Sequence, residues 1–300
     1  MIIVRLMGGL GNQMFQYAAA RRLALQHDAE LAFDSGYFAQ APPEDTPRRY
    51  ELGHLGIRAR FAGPDEVAEL SGRCRDCWQR MRLHLRRLSG FSHYRSHIVK
   101  ERTGRFDPEV LTLPDNVYLQ GYWHSERYFN DQAEIIRREL AVRTPLVGQN
   151  LELSKHIGRV DAVAVHVRRG DYATSGKTRA FHGLLSPSYY ANAMSALRAQ
   201  VTDPHIFVFS DDSEWVANHL RLDVPTTYVN HNPPDRGHLD MQLMSLCRHA
   251  IIANSSFSWW GAWLIDNPDK VVVAPQRWFA EPDRQTADLL PAGWLQVAND

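Results

Sequence analysis

The sequence predicts an α/β protein made of two similar units, each a parallel sheet flanked by helices. Three observations carry this. Short β-branched runs alternate with helix-forming stretches along most of the chain, which implies parallel strands joined by right-handed crossovers. At 300 residues the chain is long for one core and comfortable for two. The alternation loosens across 144–160, at Pro145, Gly148 and Gly158, so units at 1–155 and 156–300 with a cleft between them are expected.

The elements follow in order. Ile2–Leu6, apolar but for Arg5, reads as a first strand, Gly8–Gly11 as a turn, and Gln13–Gln26, rich in Ala, Leu and Arg, as a helix. Glu30–Phe33 is a short strand and Ala41–Pro47 a loop. Asn116–Gln120 is a strand, followed by a helix over roughly Tyr128–Val142. Strand 161–167 leads to a helix with Ser186 as N-cap and Pro187 at its first position. Then come strand 205–209, helix Ser213–Leu220, strand 226–229 and helix 239–247. Strand 249–253, helix 256–265 and strand 271–274 complete the pattern.

Bulk properties narrow the class. A hydrophobic content of 44% is ordinary for a soluble protein. Zero net charge argues against a nucleic-acid partner on charge alone. No apolar run approaches the roughly 18 residues of a membrane span. The N-terminus reads directly as a strand, so no secretory signal is expected. Three cysteines argue against a disulfide framework, which makes the cytoplasm the expected compartment. Residues 73–105 stand apart, with ten Lys or Arg against Asp76 and Glu101. Trp78, Met81, Leu85 and Leu88 fall there at helical spacing. Docking on an acidic acceptor, or peripherally at the anionic inner face of a membrane, is one reading; a solvated helix packed on its own domain is the commoner one. Cys74, Cys77, His93 and His97 have zinc-site spacing, but the apolar residues between them follow a helix, so coincidence is preferred and no metal is expected.

The run from Val163 to Tyr172 carries the chemistry. Its apolar half stops at charged groups that a strand cannot bury cheaply, so the strand ends near Val167. That delivers His166, Arg168, Arg169 and Asp171 to a carboxyl edge, where ligands of open α/β sheets sit. Two arginines suggest an anion, with phosphate first. At the N-terminus, Gly9, Gly11 and Asn12 open a helix whose free N–H groups suit an anion, although a plain tight turn would look the same. Met14 stands where a dinucleotide fingerprint needs its third glycine. Gly176-Lys177-Thr178 follows Gly170 one residue too late for a P-loop. No Gly-x-Ser-x-Gly elbow or His-Glu-x-x-His helix occurs. Asp211 and Asp212 are adjacent, so their carboxylates diverge; donor contact and helix capping are equally open. The Asn254-Ser255-Ser256 turn is a phosphate seat or an N-cap. Asp240 opens a helix, as a cap or as an acceptor for two guanine hydrogen bonds.

Together these segments resemble the α-1,2-fucosyltransferases of glycosyltransferase family 11. The blocks are Gly8–Tyr17 (GGLGNQMFQY), Gly121–Phe129 (GYWHSERYF), His166–Tyr172 (HVRRGDY) and Asp240–Leu264 (DMQLMSLCRHAIIANSSFSWWGAWL). The resemblance implies a GT-B fold of two Rossmann-like domains, with an N-terminal acceptor-side domain and a C-terminal GDP-fucose-binding domain. It implies GDP-L-fucose as co-substrate, no cofactor or required metal, and inverting transfer to galactose in a glycan. Arg168 is implied at the β-phosphate, His166 and Asp240 at guanine, and Ser255 and Ser256 at the phosphates. Asp211, Asn254, Gly9, Gly11 and Asn12 complete the expected donor side. Gln13, Asp34, Trp123 and His124 are expected on the acceptor side. Relatives with an α-1,6 linkage carry a glutamate shortly after this arginine pair; here no carboxylate falls between Asp171 and His182. Asp171, His182 and Asp34 are therefore the candidate bases, although an ion pair that orients Arg168 or Arg169 is the preferred reading of Asp171. The expected partner is a galactose-terminated glycan, lipid-linked in polysaccharide or O-antigen synthesis, and not nucleic acid. A transferase for another GDP-sugar and a non-catalytic sugar-nucleotide-binding module are the alternatives.

Overall fold

The computed structural model describes residues 1–42, 46–72, 98–281 and 286–299. Residues 73–97, with the cysteine and histidine pairs and most of the basic stretch, lie outside the described residues. The chain divides into two compact units, Met1–Leu140 and Ala141–Asp300.

The first unit is a five-stranded sheet: β1 Ile2–Arg5, β2 Leu31–Asp34, β3 Arg60–Phe61, β4 Ile98–Lys100 and β5 Val117–Gln120. Their order is β3-β2-β1-β5-β4 and every pairing is parallel. Ile2, Ile3 and Val4 are fully buried, as a central strand covered on both faces must be. Helix α1 (Leu10–Gln26) packs Met14, Tyr17, Ala18 and Leu23 into this core. Short helices α2 (Gly36–Gln40) and α3 (Pro64–Ser71) follow. The helix expected from 128 begins later, as α4 (Ala133–Leu140), after 3₁₀ turns at Glu126–Tyr128 and Asn130–Gln132. Glu139 of α4 is buried, and its charge is met by both Arg21 nitrogens at 2.9 Å and by the Tyr17 hydroxyl at 2.6 Å, tying α4 to α1.

The second unit is a six-stranded parallel sheet: β6 Asp161–Val167, β7 Pro204–Ser210, β8 Thr226–Val229, β9 His249–Ile251, β10 Val272–Pro275 and β11 Leu295–Val297. Its order is β11-β10-β9-β6-β7-β8. The helices are α5 Gly148–Ile157, α6 Gly170–Thr174, α7 Gly176–His182, α8 Pro187–Arg198, α9 Ser213–His219, α10 Gly237–Leu246 and α11 Ser256–Trp263. The alternation of β6 sends Val163, Val165 and Val167 into a core with Tyr189 and Leu197 of α8. Position 166 therefore faces the opposite side, where the His166 ring lies 5.2 Å from that of Phe257 on α11. The stretch expected as a loose break holds α5, which packs with α10 in the second unit.

Each sheet reverses its strand order beside one central strand. β1 lies between β2 and β5, and β6 between β7 and β9. In open α/β sheets ligands bind outside the carboxyl ends of strands at such a switch point. The Gly8–Asn12 turn follows β1, and Arg168 follows β6.

Candidate active site

At the end of β6 the two arginines part company. Arg168 lies between two carboxylates, with Nη2 2.6 Å from Asp171 Oδ1 and Nη1 2.7 Å from Asp211 Oδ2. Its guanidinium also stands over the Tyr172 ring at 5.4 Å. Burial works to discharge this group, but Asp211 and Asp171 hold its pKa above the ordinary value. Arg169 turns to α9, where Nε reaches Asp212 Oδ2 at 3.2 Å and the guanidinium covers the Trp215 ring at 4.1 Å. The Asp211-Asp212 pair, just past the end of β7, diverges. Asp212 Oδ1 caps α9 through the Trp215 N–H at 3.0 Å. Asp211 instead accepts from the Arg169 N–H at 2.8 Å and faces Arg168. Gly170 makes this approach possible, because a Cβ there would come within 2.5 Å of Asp211 Oδ2.

Around Arg168 the structure gathers much of the expected donor set. His166 is buried, its Nδ1 lacks a hydrogen-bond partner, and burial pushes its pKa well below the ordinary value, so the ring is neutral at pH 7. His182 stacks on Tyr172, with centroids 4.4 Å apart and planes within 9°. The Tyr172 hydroxyl donates to the Asn254 carbonyl at 3.3 Å. Ser255 caps α11 by accepting from the Phe257 N–H at 3.3 Å, and the partly exposed Ser256 is the first residue of that helix. Asn254 is committed elsewhere: its buried amide donates to the carbonyls of His182 at 2.7 Å and Trp278 at 3.2 Å. That is a brace beneath the turn.

Asp240, in the first turn of α10, is held from outside its helix. Its Oδ1 accepts from Asn232 Nδ2 at 2.7 Å. Asn232 exchanges hydrogen bonds of 2.8 and 3.1 Å with Asn150 of α5, whose Oδ1 also meets His231 Nε2 at 2.7 Å. Burial raises the Asp240 pKa to about 6, against the lowering effect of Asn232. Sequence reasoning missed this network, because Asn150 and Asn232 are far apart in the chain and belong to no local motif.

In the first unit Gly9 is the N-cap of α1 and Gly11 lies in its buried first turn. Gly8 has φ +75°, and a Cβ there would come within 2.4 Å of Asn12 Nδ2, so this glycine admits the Asn12 amide. His124 Nε2 lies 3.1 Å from Asn12 Oδ1. The other three residues expected at the acceptor have the following partners. Gln13 is fully buried; its amide bonds the carbonyls of Gly8 at 2.9 Å and Arg49 at 2.7 Å and the Glu51 N–H at 2.9 Å. Asp34 accepts from the Gly36 N–H at 2.8 Å and the Tyr118 hydroxyl at 2.5 Å. Trp123 is 1% exposed and packs edge-on against Tyr128. Also unforeseen is Arg5 at the end of β1, whose guanidinium stands 5.7 Å over the Tyr37 ring while its Nε is buried without a hydrogen-bond partner.

Among the described residues no group of three or more His, Cys, Asp or Glu side chains is arranged to hold a metal. Among them, too, no helix is long and apolar enough to cross a membrane.

Comparison with known proteins gives a consistent picture. The family model described as "Glycosyl transferase family 11" matches residues 74–298. The chain is 32% identical to "O-antigen biosynthesis glycosyltransferase WbnK" of Escherichia coli, over 97% of this chain and 99% of that protein. It is 31% identical to an Escherichia coli "Alpha-1,2-colitosyltransferase", over 99% and 98% of the two chains. Against "Galactoside alpha-(1,2)-fucosyltransferase 1" of Mus musculus the identity is 26%, over 98% and 71%. Among solved structures, an Arabidopsis thaliana FUT1 mutant in complex with GDP superposes with a TM-score of 0.50 at 13% identity, over 90% of this chain and 69% of that one. The two parallel α/β sheets thus form a GT-B-type fold.

Proposed function

The chain belongs to glycosyltransferase family 11, and from that premise we propose that it moves L-fucose from GDP-β-L-fucose to the 2-hydroxyl of a β-galactoside with inversion. One observation carries the reading: Arg168 stands at the switch-point end of β6, a guanidinium fork at the edge where a sugar nucleotide would seat its diphosphate. The difficult step is departure of GDP from the anomeric carbon. Negative charge then grows on the β-phosphate, and Arg168, the start of α11 and the Ser255 and Ser256 hydroxyls are the groups to meet it. Guanine is read by the Asp240 carboxylate, which accepts from its N–H edge, with His166 beside it. Both Asp171 and Asp211 orient the arginine. Asp171 or His182 takes the proton of the acceptor hydroxyl. The name of the O-antigen relative supports a glycan acceptor; its galactose terminus and lipid carrier are part of the proposal.

The test is transfer from GDP-L-fucose to a panel of β-galactosides in EDTA, with linkage analysis of the product. Arg168→Lys keeps the charge and loses the fork. A charged hydrogen bond is worth about 1.5–3 kcal/mol, so turnover should fall about 10–100-fold. Full activity in this variant would remove Arg168 from the role.

A second reading has its own support in the relative named as a colitosyltransferase. Colitose is fucose without its 3-hydroxyl, so the same phosphate and guanine contacts would serve either donor. GDP-L-fucose and GDP-L-colitose compared on one acceptor decide between them through kcat/KM.

A further inference from the structure

Tyr122 is held outward by a strained and tightly tied loop. It is 38% exposed between the buried residues Gly121 and Trp123, just past the end of β5. Glu101 clamps the loop, accepting from the Tyr122 N–H at 2.7 Å and the Trp123 N–H at 3.1 Å. Residue 121 must be glycine for this clamp, because a Cβ there would come within 2.4 Å of Glu101 Cβ. Trp123 takes φ +59°, a left-handed backbone that a bulky residue adopts only when its surroundings force it. Its ring is the buried anchor, with the Nε1 lacking any hydrogen-bond partner. Strain and an unsatisfied donor are thus both spent on a loop that turns one aromatic ring outward.

That ring is backed. Tyr122 stacks on His124, with centroids 5.2 Å apart and planes within 23°. His124 is wedged edge-on against Phe15 at 4.9 Å and meets Asn12 Oδ1 at 3.1 Å. A rigid aromatic face therefore adjoins an oriented amide, at the carboxyl edge of the first sheet beside its switch point.

We propose that Tyr122, backed by His124, is the stacking platform for the acceptor's galactose ring, with Asn12 at its rim for a sugar hydroxyl. This rests on the galactoside reading given above. In β-galactose the axial 4-hydroxyl leaves the hydrogens on carbons 3, 4 and 5 as one apolar patch, which suits the electron-rich face of an aromatic ring. The opposite edge of the sugar then carries the hydroxyls that need polar partners.

The test is saturation-transfer NMR on the full chain with GDP present and methyl β-D-galactopyranoside as probe. In the wild type, saturation should concentrate on the hydrogens of carbons 3, 4 and 5. Tyr122→Phe should preserve the pattern, because the platform needs the ring and not the hydroxyl. Tyr122→Ala should raise the apparent Kd about tenfold, the scale of one stacked ring removed from an aromatic side chain. Tyr122→Leu, which keeps apolar bulk without the π face, should behave like the alanine variant and serves if that variant folds poorly. Equal binding by wild type and Tyr122→Leu, or no galactoside binding by the wild type, overturns the platform. Product formation is a separate readout: a galactoside that binds through Tyr122 without being fucosylated keeps the platform and strikes the proposed transfer.

Discussion

Asp240 is costly to the empty protein. Its pKa of about 6, raised by burial, means that the folded chain favours the protonated carboxyl. The sign follows directly: a raised folded value contributes stability at low pH that is lost as pH rises through about 6. At neutral pH the cost is on the order of 3 kcal/mol. Asp240→Asn should therefore raise the urea midpoint at pH 8 and change it much less at pH 5. On the guanine reading proposed above, the same variant should bind GDP more weakly, because an amide has one acceptor oxygen where a carboxylate has two. In the wild type, GDP affinity measured by calorimetry should drop below pH 6 more steeply than in Asp240→Asn; parallel curves would separate Asp240 from the base. At this scale the sequence was partly legible. A β-branched run that stops at charges marks the strand end, and Arg168 follows. That Asp171 and Asp211 meet on one guanidinium was not legible, because it depends on the register pairing Val167 with Ser210. Nor was the choice between Tyr122 and Trp123. Both are aromatic, and only the left-handed turn at Trp123 decides which ring is buried.

Between elements, two glycines make matched contacts of opposite hardness. Gly170 abuts the Asp211 carboxylate, which is fixed by the Arg169 N–H and by Arg168. Gly261 of α11 abuts the flexible end of Met244 on α10, with a Cβ expected 2.6 Å from its Cε. Gly170→Ala should cost about 1–3 kcal/mol and also weaken GDP binding, since the displaced carboxylate takes Arg168 with it. Gly261→Ala should cost less, because a methionine can change rotamer. Urea unfolding of both variants checks the order, and the reverse order would mean that Asp211 is the more adaptable neighbour. Element boundaries explain how a helix can read as a break. Pro145, Gly148 and Gly158 read as a loosened break, yet Gly148 opens α5 with φ +55° and Gly158 closes it. Punctuation at both ends of a ten-residue helix looks like a linker when the helix between is polar. The caps at Ser186 and Asp212 were easier, because a side chain that accepts from the third following N–H is a local device.

For the whole molecule, the two-unit parallel plan was legible from strand–helix alternation, while the strand orders were not. Nothing in a local run reveals that β1 is central. The order β3-β2-β1-β5-β4 places it between an early strand and a late one, with Ile2 beside Val117. During synthesis β2 and β3 emerge soon after β1, but its other edge must wait for β5. At about 5–20 residues per second that wait is on the order of ten seconds. Nascent chains stalled before residue 117 emerges should thus leave the N-terminal strands open to pulse proteolysis, and chains stalled after residue 140 has cleared should protect them. Equal protection at both lengths would mean that half a sheet is stable alone. The strand that seats one edge of the proposed site is thus the first made and the last enclosed, and the clock of translation sets how long its apolar flank stays bare to other growing chains.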